Sequence, residues 1–174
     1  MNKILMSLIL FSSFSFSSEI CIEKISCAKI GIKYEKAGDM VNSDKAFIES
    51  CNLGLGLSCA MIGVRYEKRN DLNKAIEFYS NGCSLNNSIS CKYLALIQLK
   101  NRNQDAIKNL EKACELNDFS SCEQLGVLYL KGDIIKSNFK KSYLFFNKAC
   151  NDGSKEKSCK AVSIMTKALE NSKK

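Results

Sequence analysis

The chain contains no histidine and no proline, and only three of its 26 Lys and Arg residues are arginine, Arg65, Arg69 and Arg102. Without histidine, no Ser-His-Asp triad, Cys-His nucleophile pair or His-based zinc site can be built. Without proline, and with only nine glycines in 174 residues, long stretches are free of helix breakers. The scarcity of arginine and the lack of a groove-reading motif argue against nucleic acid as a partner. The apolar run from Ile4 to Phe11 falls short of the roughly 20 residues of a membrane span, so no transmembrane anchor is expected.

What the chain has in abundance is cysteine. Its ten cysteines fall in close pairs, Cys21 and Cys27, Cys51 and Cys59, Cys83 and Cys91, Cys114 and Cys122, Cys150 and Cys159. With the second of each pair as a marker, the steps are 32, 32, 31 and 37 residues, a period that marks an array of helical repeats. With 45% hydrophobic and 25% charged residues, the composition is that of a globular chain, and each repeat need only bury one stripe against its neighbours.

Counting from the marker, position +3 is aliphatic (Ile30, Ile62, Leu94, Leu125, Val162) and +4 is small (Gly31, Gly63, Ala95, Gly126, Ser163). Position +7 is Tyr34, Tyr66 and Tyr129 in three repeats and Gln98 in another. Positions 0, +3, +4 and +7 share one helical face, so each marker opens an amphipathic helix, helix A, whose small residue admits a close neighbour. A second helix, B, ends at the first cysteine of the next pair: Ser43 to Cys51, Asn73 to Cys83, Gln104 to Cys114 and Phe139 to Cys150. Its anchors Phe47, Phe78 and Tyr79, Ile107 and Leu110, Phe145 and Phe146 recur at one distance before that cysteine.

Three residues beyond each of these cysteines stands Gly54, Asn86, Asn117 or Gly153, residue types that accept the left-handed conformation ending a helix. Asn87 and Asp118 are suited to cap the helix that follows. A last helix, Ser158 to Glu170, is expected to close the array with Val162, Ile164 and Leu169 facing inward.

The N-terminus reads differently. A basic start, the apolar run and the small residues Ser12 to Ser18, with Ser15 and Ser17 at −3 and −1, read as a secretory signal peptide over residues 1–17, leaving 18–174 as the repeat domain. Ser18 and Ile20 before Cys21 do not suit a lipoprotein site. Export to the periplasm or beyond agrees with the cysteines, because disulfides persist in oxidising compartments and an even count argues for a disulfide framework. Zinc ligand pairs usually stand two to four residues apart, whereas five to eight residues separate these, so no metal and no cofactor is expected. Two connectivities stay open. Close pairing uses every thiol, while joining Cys27 to Cys51, Cys59 to Cys83 and so on strands Cys21 and Cys159. Close bridges would each stabilise the fold by roughly 2.6 kcal/mol on the chain-entropy model.

Residues Leu125 to Asp133, followed by Lys140 to Asn151, resemble a Sel1-like repeat, and cysteine pairs with seven residues between them make the chain similar to the Helicobacter cysteine-rich protein family. The resemblance covers about residues 27–166 and implies an all-α, tetratricopeptide-like solenoid of antiparallel helix pairs, four pairs plus a C-terminal capping helix. Three repeats are a few residues shorter than the family's usual unit, between helices A and B. The third carries Ala95 and Gln98 in place of Gly and Tyr, and the first and last cysteine pairs depart from the spacing.

The resemblance implies two functions. Members are described as penicillin-binding proteins or β-lactamases, and also as secreted proteins that meet the host. For the first, a serine β-lactamase needs Ser-x-x-Lys with Ser-Asp-Asn and Lys-Thr-Gly elements. Ser26 with Lys29, Ser137 with Lys140 and Ser154 with Lys157 fit the first pattern, the other two elements are missing, and about three such matches are expected by chance.

For the second, tetratricopeptide repeats line their concave side with helix A. By resemblance that side takes +1, +5, +8 and +9, giving an aliphatic row Ile32, Val64, Leu96 and Val127 beside a lysine row Lys36, Lys68, Lys100 and Lys131. One reading puts the aliphatic row in the core and the lysines at helix ends, complementing the dipole. The other makes them a basic-edged apolar groove for an extended peptide with carboxylates. The net charge of +8 favours acidic partners. The expected role is therefore a monomeric, exported binding module for a peptide or protein, peptidoglycan-derived or from a host, with weak β-lactam hydrolysis as the alternative.

Overall fold

The computed structural model describes residues 21–171, so the expected signal peptide and its cleavage site lie outside the described residues. Among the described residues nine helices follow one another: α1 (Lys24–Lys36), α2 (Met40–Asn52), α3 (Gly56–Lys68), α4 (Leu72–Ser84), α5 (Ser88–Lys100), α6 (Asp105–Glu115), α7 (Phe119–Lys131), α8 (Phe139–Asn151) and α9 (Glu156–Asn171). The described residues contain no strand. Odd-numbered helices are the A helices and α2, α4, α6 and α8 the B helices. Each A helix packs on its own B helix, each B helix on the next A helix, and α3 also touches α5. Joined by short turns, the helices form antiparallel hairpins stacked in a row, an α-solenoid.

The bridges take the close connectivity throughout: Cys21–Cys27, Cys51–Cys59, Cys83–Cys91, Cys114–Cys122 and Cys150–Cys159. The last four each tie the end of one B helix to the start of the following A helix, so these staples fall between repeats, while Cys21–Cys27 ties the segment before α1 to its first turn. Every described cysteine is bridged.

Local signals fix the turns. The side chains of Asn87 and Asp118 accept the Ser90 and Ser121 backbone N–H at the starts of α5 and α7, and Asp39, Asp71 and Asn138 do the same for α2, α4 and α8. At the B-to-A turns Gly54, Asn86 and Asn117 have positive φ. The next N–H closes back onto the helix: Leu55 to Ser50 O, Asn87 to Gly82 O and Asp118 to Ala113 O, at 2.9 to 3.0 Å, a Schellman ending. In the last such turn the left-handed residue is Ser154, φ 50°, and not Gly153. The final cysteine pair is one residue longer, which moves the special conformation one place on. Gly153 is glycine for space, because a Cβ there would lie 2.4 Å from Phe119 Cβ.

The core is the A–B contact. Gly31 faces the ring of Phe47, Gly63 that of Tyr79 and Gly126 that of Phe146, all within 3.0 Å of where a Cβ would stand. In the third repeat Ala95 and Leu110 occupy these places, both fully buried in one cluster with Ile107 and Leu125. A smaller partner leaves room for the extra methyl. The fourth repeat's longer A-to-B loop folds back, with Ile134 and Ile135 packed on the same cluster.

The closing helix differs from the expectation. Its inward face is Ser158, Val162 and Met165, of which Ser158 and Met165 are buried, whereas Ile164 and Leu169 are 69% and 44% exposed. Ile164 is a +5 residue, a surface position in the repeats before it. Leu169 lies in the stretch by which α9, with 16 residues, outruns the usual 13.

Candidate binding surface

The core stripe of helix A leaves +5 outside the A–B contact. Ile32 and Val127 are 42% and 36% exposed, and Val64 and Leu96 are half-buried. The row is thus surface-exposed at its two ends, Ile32 and Val127, while Val64 in its middle packs on the core cluster of Ala75, Tyr79, Leu94 and Ile97.

Lys36, Lys68, Lys100 and Lys131 are the final residues of α1, α3, α5 and α7, and all four are exposed. Each stands where unpaired carbonyls give the helix end its partial negative charge. Among the described residues none of them enters an ion pair, so their ammonium groups are open to a partner. Between α5 and α7 a cavity of about 240 Å³ is lined by Leu99, Glu123, Gln124, Val127 and Leu128. Val127 is the one member of the aliphatic row in its lining.

Several of the other positions assigned to this face are engaged within the molecule, whereas Leu130 at +8 is exposed. At +1, Ala60 is buried, Lys92 Nζ lies 2.7 Å from Asp118 Oδ2, and Glu123 Oε2 accepts the Ser158 hydroxyl at 2.8 Å. These contacts run from one repeat to the next, since +1 sits at the junction of successive A helices. At +8, Glu35 pairs with Arg65 Nη2 at 3.0 Å and Glu67 accepts the Tyr79 hydroxyl at 2.9 Å. Burial, and then the Glu67 carboxylate, push the Tyr79 phenol well above its ordinary range, so it remains a neutral donor.

One cluster escaped the sequence reading. Arg65 reaches from α3 to Asp44 and to Ser43 Oγ at 3.0 Å, lies over the Phe47 ring at 5.0 Å, and holds Glu35, while Arg69 pairs with Asp44 at 2.7 Å. Two of the chain's three arginines thus bind the first repeat to the second. Their rarity in a lysine-rich chain was the available signal, because a planar fork suits shared carboxylates better than an ammonium does.

The three Ser-x-x-Lys serines are dispersed: Ser26 in the first turn of α1, Ser137 in the loop before α8 and Ser154 in the turn before α9. All are exposed, and among the described residues none hydrogen-bonds a lysine. No group of three or more Cys, Asp or Glu among the described residues is placed to hold a metal ion. No described helix is long and apolar enough to cross a membrane.

Helix pairs stapled at every junction define a disulfide-rich α-solenoid. The chain belongs to the Sel1 repeat family, which matches residues 50–87, 96–118 and 120–154, more than half its length; Sel1 repeats are protein-interaction modules. Similar solved structures include a Sel1 repeat protein from Oxalobacter formigenes, with TM-score 0.63 and 15% identity over 75% of this chain and 59% of that one. A protective antigen of uropathogenic Escherichia coli with an SLR fold has TM-score 0.69 and 16% identity over 82% of this chain and 33% of its own. Helicobacter pylori cysteine rich protein B has TM-score 0.52 and 23% identity over 76% of this chain and 96% of its own. At these identities the likeness is one of fold. No curated protein matches the chain by sequence.

Proposed function

We propose that this Sel1 repeat protein is exported and, in the periplasm or outside the cell, holds an extended, carboxylate-bearing peptide or acidic protein segment along its A helices. The observation that carries this reading is the pairing, repeat after repeat, of a +5 aliphatic that is not fully buried with an exposed lysine at the helix end: Ile32 and Lys36, Val64 and Lys68, Leu96 and Lys100, Val127 and Lys131. The apolar row supplies contact area, and the lysines supply screened attraction along one edge. The five bridges suit an oxidising compartment.

The test uses a synthetic peptide of alternating Glu and Leu as probe. Binding to the oxidised chain should weaken at least tenfold in the Lys68→Glu/Lys100→Glu variant at low salt and less at high salt, with helicity and melting temperature nearly unchanged. Equal affinity of parent and variant at low salt would return the lysines to a role at helix ends alone.

A further inference from the structure

Because the hairpins stack in one row, every A-to-B turn falls on one edge of the solenoid and every bridged B-to-A turn on the other. The charge divides unequally between these edges. The last four residues of each A helix, the turn and the first four residues of its B helix are residues 33–43, 65–75, 97–108 and 128–142, and together they hold 13 Lys and Arg against six Asp and Glu. All other described residues hold 10 against 11. The A-to-B edge thus carries a net charge of +7 and the rest of the described molecule −1.

Four of the six carboxylates at this edge are engaged within the fold. Asp39 and Asp71 accept the Asn42 and Lys74 backbone N–H as caps, Glu35 pairs with Arg65, and Glu67 accepts the Tyr79 hydroxyl. The cations Lys36, Lys68, Lys100, Lys131, Lys136 and Lys140 are exposed. Apolar side chains stand out among them: Met40, Val41, Leu72, Leu130 and Phe139 are between 41% and 67% exposed. Met40, Leu72 and Phe139 each open a B helix, directly after its capping residue, and a cap asks for no apolar neighbour. Each precedes by two helical turns the ring that fills the A–B core, Phe47, Tyr79 or Phe146, so the apolar stripe of helix B runs past the core into solvent. The third repeat opens α6 with Asp105 and adds only the cations Lys100 and Arg102 at its turn.

We propose that the A-to-B edge lies on an anionic phospholipid bilayer, with Met40, Val41, Leu72, Leu130 and Phe139 entering the headgroup layer and the lysines beside them meeting lipid phosphates. Binding at a membrane surface grows with the apolar area inserted and with the attraction between basic residues and acidic headgroups. This edge supplies both, and the near-neutral remainder gives an anionic surface no second face to attract. The side chains project from the tips of successive hairpins, so they meet a surface rather than surround a chain. The inference goes beyond the A-helix groove, because Met40, Leu72, Phe139, Lys136 and Lys140 lie outside its aliphatic and lysine rows.

The chain has no tryptophan, so a single introduced one reports on its own surroundings. In the oxidised chain purified after export, Leu72→Trp should shift its emission to the blue on vesicles of equal parts phosphatidylcholine and phosphatidylglycerol, and brominated lipid should quench it. Leu85→Trp, at an exposed site on the opposite edge, should do neither. Lys136→Glu/Lys140→Glu should weaken vesicle binding about tenfold at low salt and less at high salt. The same variant should change binding of the Glu and Leu peptide far less, so failure of the bilayer site and failure of the groove are separate results. An unshifted Leu72→Trp emission, an equal response from Leu85→Trp, equal binding to vesicles of phosphatidylcholine alone, or unchanged vesicle affinity in the lysine variant would overturn the proposal. So would a shift produced by the peptide and not by vesicles, which would make this edge a protein site. Should Leu72→Trp fail to fold, Phe139→Trp supplies the same measurement.

Discussion

Gly63 lies against the Tyr79 ring so closely that a Cβ on the glycine would stand 2.5 Å from Tyr79 Cε1. The same contact recurs as Gly31 with Phe47 and Gly126 with Phe146, and the third repeat resolves it differently, with Ala95 and Leu110. A small residue on helix A and a ring on helix B are therefore one joint choice.

That coupling is measurable. Gly63→Ala alone should overpack the contact and cost about 1 to 3 kcal/mol. Combined with Tyr79→Leu, which recreates the third repeat's pair, it should cost less than the sum of the single changes by 0.5 kcal/mol or more, on the scale of ~0.5 to 3 kcal/mol usual for contacting residues. Urea denaturation of the four proteins supplies the cycle. Strict additivity would mean that α3 and α4 do not meet at this point.

Much of this was legible because it repeats. The closing of Cys51 onto Cys59 was one of two connectivities open in the sequence, favoured because the alternative left two thiols over, and the structure takes it. The caps Asn87 and Asp118 were legible for a similar reason: a short polar side chain stands before each apolar stripe. The engagement of position +1 within the molecule was not legible, because it depends on contacts between successive repeats. Here Ala60, Lys92 and Glu123 are drawn into the junction with the neighbouring repeat. The exposure of Leu169 depends on α9 outrunning the usual helix length, and the Arg65 cluster depends on tertiary contacts between α1, α2 and α3. No periodicity records either.

The bridges should dominate stability. Removing one with Cys83→Ser/Cys91→Ser frees a loop of about nine residues and should cost about 2.6 kcal/mol on the chain-entropy model. Tryptic mass spectra of the non-reduced parent should show Cys83 joined to Cys91, and a peptide joining Cys59 to Cys83 would contradict the structure.

Asp118 gives the fold an acid-sensitive point. Burial raises its pKa, but hydrogen bonds from Lys92, the Ser120 hydroxyl and the Ser121 N–H, with the Lys92 charge, outweigh burial and hold it below the usual carboxylate range. A carboxyl depressed in the folded state stabilises at pH above its unfolded value of about 3.9 and loses that stabilisation as pH falls through the folded value. Asp118→Asn should therefore be less stable than the parent at pH 6, with the gap narrowing below about pH 3. Denaturant titrations at the two pH values check this, and a gap that widened in acid would reverse the sign.

The exposed serines should be inert toward β-lactams. Nitrocefin turnover by the purified chain should be the same for Ser26→Ala, Ser137→Ala and Ser154→Ala as for the parent. Loss of turnover in a single variant would identify a nucleophile and favour a hydrolase.

The central claim, that the A helices carry the partner, is tested most directly by lysine acetylation of the oxidised chain with and without a saturating acidic peptide, read by mass spectrometry. Lys36, Lys68, Lys100 and Lys131 should be protected together, while Lys45, Lys108 and Lys148 on the B helices react as before. Protection confined to the B-helix lysines, with the four helix-end lysines unchanged, would contradict it.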